Sequence, residues 1–299
     1  MKGYKVKQLL RSTNGSLLRS VWQPRLNFST TSRPLSSLVS FTKFQDVDHS
    51  YQLTLNDLAT RNCLSVELVS SAISHLQKAS QMDDCRIIVI NTPANHTVFS
   101  SGHNLKQMRQ CVEQQNEAEW KHIFEICSDL LISIQNQPQP IISSLHGIVT
   151  AAACQIAAAS DMAVCTKDTT FMIPGLALGI NASRPAAELA KSMDKSGVKL
   201  GMEMLLTGNT ISAEKAYQHG FVNHVCQSYD EMQVYLTRLC TTIASKSKFG
   251  IQRGKKCFYE QSSQPNLKTA YPIASEYMVE AMLHTDTQQK IQAFFNKNK

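Results

Sequence analysis

The sequence predicts an α/β fold, in which strands and helices alternate along most of the chain. Three apolar runs have the length and composition of buried strands: CRIIVIN (85–91), IISSLHG (141–147) and DMAVC (161–165). Segments with apolar residues at helical spacing lie between these runs, which is the order expected of strand–helix–strand units. The 299 residues are enough to bury a substantial core.

Two elements are predicted before the first of these runs. YQLTL (51–55) alternates apolar and polar residues, as a half-buried strand does. SVELVSSAISHLQKAS (65–80) predicts a helix with Ser65 as its N-cap and Glu67 in its first turn.

Three further helices are predicted in the middle of the chain. Residues 116–137 have the pattern of a long amphipathic helix, which Pro138 ends. TAAACQIAAAS (150–160) predicts a helix of small residues. ISAEKAYQHG (211–220) predicts a helix closed by Gly220.

The predicted organisation has three parts. Residues 1–40 form a targeting segment and flexible lead, and residues 41–225 form the α/β core, which ends with the short strand FVNHV (221–225). Residues 226–299 have the pattern of three or four helices and form a helical C-terminal subdomain.

The positive charge of the chain is concentrated at its N-terminus. Eight of the 30 basic residues precede the first acidic residue, Asp46, which leaves 22 basic against 23 acidic residues in the remainder. That remainder lacks the basic balance of a nucleic-acid-binding protein. The basic, Ser/Thr-rich and acid-free start is typical of a mitochondrial transit peptide, the alternative being a basic tail without a targeting role. No apolar run approaches the length of a transmembrane helix.

The nine cysteines do not form a metal-binding or disulfide pattern. No pair has Cys-x-x-Cys spacing, and no histidine cluster accompanies them. We therefore expect no metal site, and mostly structural thiols in a reducing compartment.

Three small-residue segments each follow a predicted strand: SSGHN (100–104), GIVTAAACQ (147–155) and IPGLALG (173–179). Small residues let a ligand approach the main chain, and two amides aimed at one point form an oxyanion hole. One amide is expected from the Gly102–His103 turn and the other from the start of the AAACQ helix. The alternative is close packing of small residues without a ligand. A phosphate loop is disfavoured, because no segment ends in Gly-Lys-Ser/Thr.

Five segments occur in a fixed order along the chain: RNCLS (61–65), FSSGHNLKQM (99–108), HGIVTAAACQIAAASDMAV (146–164), FMIPGLALGI (171–180) and MEMLLTGNTISAEKAYQHGFVNHV (202–225). Together they resemble the enoyl-CoA hydratase/isomerase (crotonase) family. The resemblance extends from about residue 45 to the end of the chain, and its last long segment is highly specific.

The resemblance implies the α/β crotonase (ClpP-like) fold, a spiral of ββα units with a C-terminal helical subdomain that mediates homotrimers or hexamers. It implies an acyl-CoA or enoyl-CoA ligand, with coenzyme A arriving as part of the substrate and no permanently bound cofactor. The main-chain amides of His103 and Ala152 would hold the thioester oxygen. The implied coenzyme A contacts are Arg61, Asn62, Cys63, His103, Asn104, Leu105, Lys106 and Lys297.

The chain departs from the family pattern at both acid–base positions. Hydratases of the family use two glutamates, and here those positions hold Gln155 and Gly175. A glutamine can orient water but has no useful pKa, and glycine brings no functional group. Asp161, Asp168 and Glu188 are the nearest alternatives along the chain, and the His103 imidazole is a further candidate acid or base.

Three functions are consistent with these residues. The first is an enoyl-CoA hydratase-like lyase or isomerase in fatty-acid metabolism of the mitochondrial matrix. The second is a catalytically degenerate protein that binds acyl-CoA or regulates its metabolism, because both family glutamates are replaced. The third is an assembly protein built on the oligomeric scaffold.

Overall fold

The structure, a computed structural model, describes residues 37–297, apart from the side chain of Lys297. Within this part of the chain the strands are β1 (Val39–Lys43), β2 (Ser50–Leu55), β3 (Ile87–Asn91), β4 (Val98–Ser100), β5 (Ile141–Leu145), β6 (Ile148–Thr150), β7 (Met162–Thr166), β8 (Thr170–Met172), β9 (Ile211–Ser212) and β10 (His224–Cys226).

The helices are α1 (Val66–Ser80), α2 (Leu105–Gln114), α3 (Glu117–Asn136), α4 (Ala152–Ala159), α5 (Ser183–Ser192), α6 (Gly197–Thr207), α7 (Ala213–Gln218), α8 (Tyr229–Ala244), α9 (Lys248–Ser262), α10 (Leu267–Leu283) and α11 (Thr285–Lys297). Short 3₁₀ helices cover Leu58–Thr60 and Pro174–Leu178. None of the helices described is long and apolar enough to cross a membrane. The predicted targeting segment, 1–40, falls almost wholly outside the described residues.

The chain builds two sheets by a repeated unit of two strands and a helix. The larger sheet has the order β1-β2-β3-β5-β7-β10, and the smaller has the order β4-β6-β8-β9. Each of the pairs β3/β4, β5/β6 and β7/β8 contributes one strand to each sheet before the chain enters a helix. The protein therefore has the spiral of ββα units that the resemblance implied.

The apolar character of the central strands follows from their position. β3 is parallel to both β2 and β5, and side chains from its two faces enter different clusters. Ile88 and Ile90 pack in the main core with α1 and α3, whereas Ile87 and Val89 pack against α8. A strand covered on both faces needs apolar residues at consecutive positions, and this explains the continuous run at 87–90.

The C-terminal helices attach to this body through a buried polar cluster. Asp161, which directly precedes β7, accepts hydrogen bonds from the Ile141 amide at 2.6 Å, Lys255 Nζ at 2.7 Å and Tyr259 Oη at 2.9 Å. The Lys255 and Asp161 side chains are only 8% and 13% exposed. Burial lowers the pKa of Lys255, and the neighbouring carboxylate opposes that change. The cluster therefore joins α9 to the edge where β5 and β7 begin.

Replacing Asp161 by Ala should lower the free energy of unfolding by about 3–5 kcal/mol, because the Lys255 ammonium stays buried without its partner. Urea denaturation would measure the change. The control is Lys256→Met on the same helix. This exposed lysine lies 3.8 Å from Glu260, and the variant should change stability by less than about 0.5 kcal/mol. Equal effects of the two substitutions would contradict the role given to the cluster.

Candidate functional site

Three segments of the chain meet at one edge of the smaller sheet. β4, β6 and β8 are parallel neighbours, so their carboxyl ends lie side by side. These ends lead into the turn 101–104, helix α4 and the 3₁₀ helix Pro174–Leu178. The three small-residue segments identified in the sequence are therefore brought together.

The turn after β4 is held very close to the start of α4. Gly102 has φ +75°, and an added Cβ would lie 2.9 Å from the Thr150 carbonyl oxygen and 3.3 Å from the Ala152 nitrogen. The Gly102 amide donates to Ser100 Oγ at 3.2 Å, and Leu64 donates to the Gly102 carbonyl at 2.7 Å. Only glycine fits this conformation and spacing.

Two main-chain amides at this approach, those of Ala152 and His103, have no acceptor among the described residues. Ala152 begins α4, so its N–H has no partner within the helix. Ala151 has φ +53°, an unusual value for alanine, while its own amide donates to the Met172 carbonyl at 2.8 Å. In the part of the chain that the structure describes, no hydrogen bond from the His103 amide is found. Two donors on adjacent segments are thus free for a ligand.

A cavity of about 320 Å³ opens beside these amides. Its wall is mostly apolar, and among the described residues that line it none is Asp or Glu. It receives residues from the turn after β4, from α3, from α4, from the 3₁₀ helix and from α5. They include Ser101, His103, Leu105, Phe124, Cys127, Ala151, Ala152, Gln155, Pro174, Gly175 and Arg184.

The His103 ring forms part of this wall in its neutral state. Its Nδ1 lies 3.5 Å from Cys127 Sγ, and the ring meets Phe124 edge-on with 5.3 Å between centroids. Burial, with a smaller contribution from Arg184, lowers the pKa of His103 to about 4. Burial raises the pKa of the Cys127 thiol to about 12. The pair therefore carries no charge near neutral pH and is a poor source of a reactive thiolate.

Gln155 is almost fully buried and faces the cavity from the first turn of α4. Its Nε2 donates to Glu188 Oε2 at 2.7 Å. Glu188 lies on α5, where its Oε1 is 3.6 Å from Nε of Arg184. The nearest carboxylate thus lies behind Gln155 and does not line the cavity.

Gly175 lies where the main chain packs tightly. A Cβ added at this position would lie 2.6 Å from Ala182 Cβ and 3.2 Å from the Ile180 carbonyl oxygen. No ordinary Cβ contact is that short, so any larger residue would require the segment 180–182 to move.

Residues 61–64 run alongside the end of β4. The predicted coenzyme A contacts at 61–63 therefore lie near the site. Arg61 is exposed, and its carbonyl accepts the Ser101 amide at 3.0 Å. Asn62 is fully buried, and its Nδ2 donates to the Phe99 carbonyl at 3.0 Å. Cys63 is buried as well, which raises the pKa of its thiol. Of the three, only the Arg61 side chain reaches the surface.

The remaining predicted contacts lie at the start of α2. Asn104 is the N-cap, and its Oδ1 accepts the amides of Lys106 at 3.0 Å and Gln107 at 3.3 Å. Leu105 lines the cavity with half of its surface exposed, and Lys106 is exposed. The side chain of Lys297 lies outside the described residues.

The alternative carboxylates do not enter the cavity. Asp161 is bound in the cluster at the start of β7, and Asp168 lies in the turn between β7 and β8. Sequence reasoning missed Arg184, which is the cation on the cavity wall and has no motif around it. It also missed Phe124 and Cys127, although their spacing with Leu131 on α3 places all three on one helix face.

One group of potential metal ligands lies away from the cavity. Donor atoms of His224, Cys226 and Glu231 are within 4.8 Å of one another. Glu231 Oε2 already accepts the Gln227 amide at 2.8 Å, and burial raises the pKa of Cys226 to about 11. Glu231 therefore supports the start of α8, and Cys226 packs in the apolar cluster beneath that helix.

Comparison with known proteins identifies the class. The profile of the enoyl-CoA hydratase/isomerase family matches residues 50–299. The chain belongs to the enoyl-CoA hydratase/isomerase family.

Particular relatives agree with this assignment. The Mus musculus protein named enoyl-CoA hydratase domain-containing protein 3, mitochondrial, is 34% identical over 258 residues, which cover 86% of this chain and 83% of the mouse protein. The crystal structure of human enoyl coenzyme A hydratase domain-containing protein 3 superposes with a TM-score of 0.80 at 34% identity, covering 88% of this chain and 98% of the human one. An enoyl-CoA hydratase structure from Mycobacterium smegmatis gives a TM-score of 0.79 at 28% identity, covering 87% and 96% of the two chains.

The lowered pKa of His103 predicts a pH dependence of stability. The folded-state pKa of about 4 lies below the ordinary value of 6.5, so the unfolded chain binds the proton first as the pH falls. The contribution of His103 to the free energy of unfolding should fall as the pH drops from 6.5 through 4 and then level off. Over this window the natural protein should lose about 2 kcal/mol more than His103→Phe, which retains an aromatic ring and the amide. If chemical denaturation showed the same pH dependence of stability for the natural protein and for His103→Phe, the prediction would be wrong.

Proposed function

We propose that the protein binds fatty acyl-CoA thioesters and holds the thioester oxygen between the His103 and Ala152 amides. The observation that carries the proposal is the close approach of Gly102 to the Ala152 nitrogen, beside a mostly apolar cavity. The apolar wall suits an acyl chain, and exposed Arg61 and Lys106 lie next to the opening, where they can attract coenzyme A phosphates.

The two amides give the site a hydratase-like character. Water addition to an enoyl thioester passes through an enolate-like species whose negative charge collects on the thioester oxygen. Fixed N–H donors stabilise that charge without reorganising, and the loss of one such donor typically costs about 3–4 kcal/mol. The proposed contact therefore polarises the thioester as well as binding it.

A second function, binding without turnover, is favoured by the composition of the cavity wall. Among the described lining residues no carboxylate is present, and His103 is a weak base. A general acid or base usually contributes about 10²–10⁴-fold to a rate. Hydration of an enoyl-CoA should therefore be slow or absent, and the protein would act chiefly as a carrier or regulator of acyl-CoA.

The proposed location is the mitochondrial matrix, and the role is in fatty-acid metabolism. The basic, acid-free start of the sequence and the mitochondrial relatives support this location. Fractionation of mitochondria followed by N-terminal sequencing of the protein would test this location. A processed chain in the matrix fraction is expected. An unprocessed chain found outside the matrix would contradict import.

We further propose a homotrimer or hexamer formed through the C-terminal helices. Large apolar side chains on α10 and α11 are more than half exposed in the single chain, and burial against copies of the chain would remove this surface from water. They include Tyr271, Met278, Val279, Met282, Leu283, Phe294 and Phe295.

The amide contact can be tested from the ligand side. Calorimetry should show that butyryl-CoA binds at least about tenfold more tightly than the thioether S-butyl-CoA, which lacks the carbonyl oxygen. Equal affinities would contradict the two-amide site. In the same preparation, hydration of crotonyl-CoA above the rate of a Gln155→Ala variant would favour the enzyme over the carrier.

The assembly can be tested by sedimentation velocity. The natural chain should sediment as a trimer or a larger species, and Leu283→Lys should shift it toward the monomer, because a charge would be placed in the buried contact. Val234→Lys is the matched control, since Val234 is also exposed (71%) but lies on α8. A monomeric natural chain would contradict the proposed assembly.

A further inference from the structure

Arg184 is the only charged residue near neutral pH among the described residues that line the cavity. It lies in the first turn of α5, and the other side chains on the wall are apolar or neutral. A cation in an otherwise neutral cleft attracts an anionic group on a ligand. The contacts of this guanidinium therefore determine whether it is available to one.

The guanidinium is held in place from α3. Its Nη2 donates to Ser128 Oγ at 2.8 Å, and that hydroxyl donates to the Phe124 carbonyl at 2.7 Å. Because the hydroxyl has one proton, already engaged with the main chain, it can only accept from arginine. The position of Arg184 is thus set by a helix that also forms part of the cavity wall.

Most donors of this guanidinium have no acceptor in the protein. Nε lies 3.6 Å from Glu188 Oε1, which is longer than a hydrogen bond. Among the described residues, no acceptor for Nη1 is found. Arginine has five N–H donors, and its terminal nitrogens can bind both oxygens of one carboxylate.

The charge of Arg184 reaches the interior of the cavity. After burial, it is the second cause that lowers the pKa of His103. It also opposes the burial that raises the pKa of the Cys127 thiol. Both of these groups line the space that a ligand would fill, so an anionic group placed there would be attracted by the same charge.

We propose that the cavity selects acyl-CoA thioesters whose acyl chain ends in a second carboxylate, and that Arg184 binds this terminal group. The inference rests on the proposed acyl-CoA binding and adds the class of acyl chain. Ala152 begins α4 and Arg184 is at the start of the neighbouring helix α5, and both line the same cavity. A chain held by its thioester oxygen at the Ala152 amide would run along the apolar wall toward the guanidinium. A chain that ends in a methyl group would leave the cation without a partner.

Glu188 is the competing influence, because its carboxylate repels a second one. It does not line the cavity, and its Oε2 accepts from Gln155 Nε2 at 2.7 Å. Its Oε1 leaves Nη1 and Nη2 of Arg184 open to a ligand. A bidentate, charge-assisted contact at those two nitrogens is stronger than the loose pairing at Nε. Preference for the dicarboxylic chain is therefore expected.

The test measures a ratio of affinities in the full chain by calorimetry at neutral pH, where the terminal carboxylate is ionised. Adipoyl-, pimeloyl- and suberoyl-CoA are each compared with the monocarboxylic thioester of the same carbon number, namely hexanoyl-, heptanoyl- and octanoyl-CoA. In the natural protein at least one dicarboxylic thioester should bind at least about tenfold more tightly than its counterpart. In Arg184→Met, which keeps a long unbranched side chain without the charge, the ratio for that pair should fall to about one.

Two further variants separate a local contact from net charge. Arg238→Met removes the same charge from an exposed position on α8, a helix that packs on the opposite face of the larger sheet from α3, so the ratio should stay unchanged. Glu188→Gln can still accept from Gln155 and removes the competing negative charge, so the ratio should rise about threefold.

Thermal unfolding would establish that each variant is folded. Ratios near one for all three pairs in the natural protein would overturn the inference. So would a ratio that survives Arg184→Met, or one that falls in folded Glu188→Gln. The proposed function would stand in each of these cases, because the monocarboxylic thioesters would still bind. If no thioester binds, the proposed function fails and this inference fails with it.

Discussion

The contact between the Gly102 turn and the first residues of α4 is the constraint on which the site depends. It forms because β4 and β6 are parallel neighbours and each ends in a tight turn of small residues. Glycine at 102 permits both the positive φ and the approach to Ala152. The amides are then held by the sheet and the helix, so that their direction does not depend on mobile side chains.

The cavity next to this contact has an unusual electrostatic character for a site of acid–base chemistry. Burial keeps both the His103 ring and the Cys127 thiol neutral near pH 7. The charge of Arg184 on the cavity wall lies close to that of Glu188, which does not line the cavity, so their fields partly cancel. Away from Arg184, a ligand inside would therefore interact mainly with dipoles, among them the two N–H groups and the polar side chains on the wall.

Periodic patterns in the sequence predicted the α/β class and the main strands, because buried parallel strands and long amphipathic helices leave strong signals. The spiral of ββα units was implied by the resemblance to the family. The sequence did not predict α2, whose N-cap is Asn104. It also placed a strand at 221–225, whereas the structure has only His224–Cys226. Strands of three residues and helix ends depend on tertiary hydrogen bonds more than on local pattern.

In the site, the sequence predicted the local segments but not the contacts between residues that are far apart along the chain. The segments that follow β4, β6 and β8 could be found, since their small residues are needed locally. Arg184 and the bond between Gln155 and Glu188 could not, because they join α4 to α5 across 33 residues of sequence and have no local signal. Asn62 was predicted as a ligand contact from resemblance, and the structure buries its side chain against Phe99.

The tight packing at Gly175 limits which residues this position can accept. Where related hydratases are expected to carry a glutamate, Ala182 now occupies the space that the first carbon of such a side chain would need. A single reversion at 175 would meet steric resistance before it could restore a carboxylate, and a smaller residue or a shifted loop at 182 would have to come first. A carboxylate at 175 and the present course of residues 180–182 therefore exclude each other, so that one can be introduced only if the other changes.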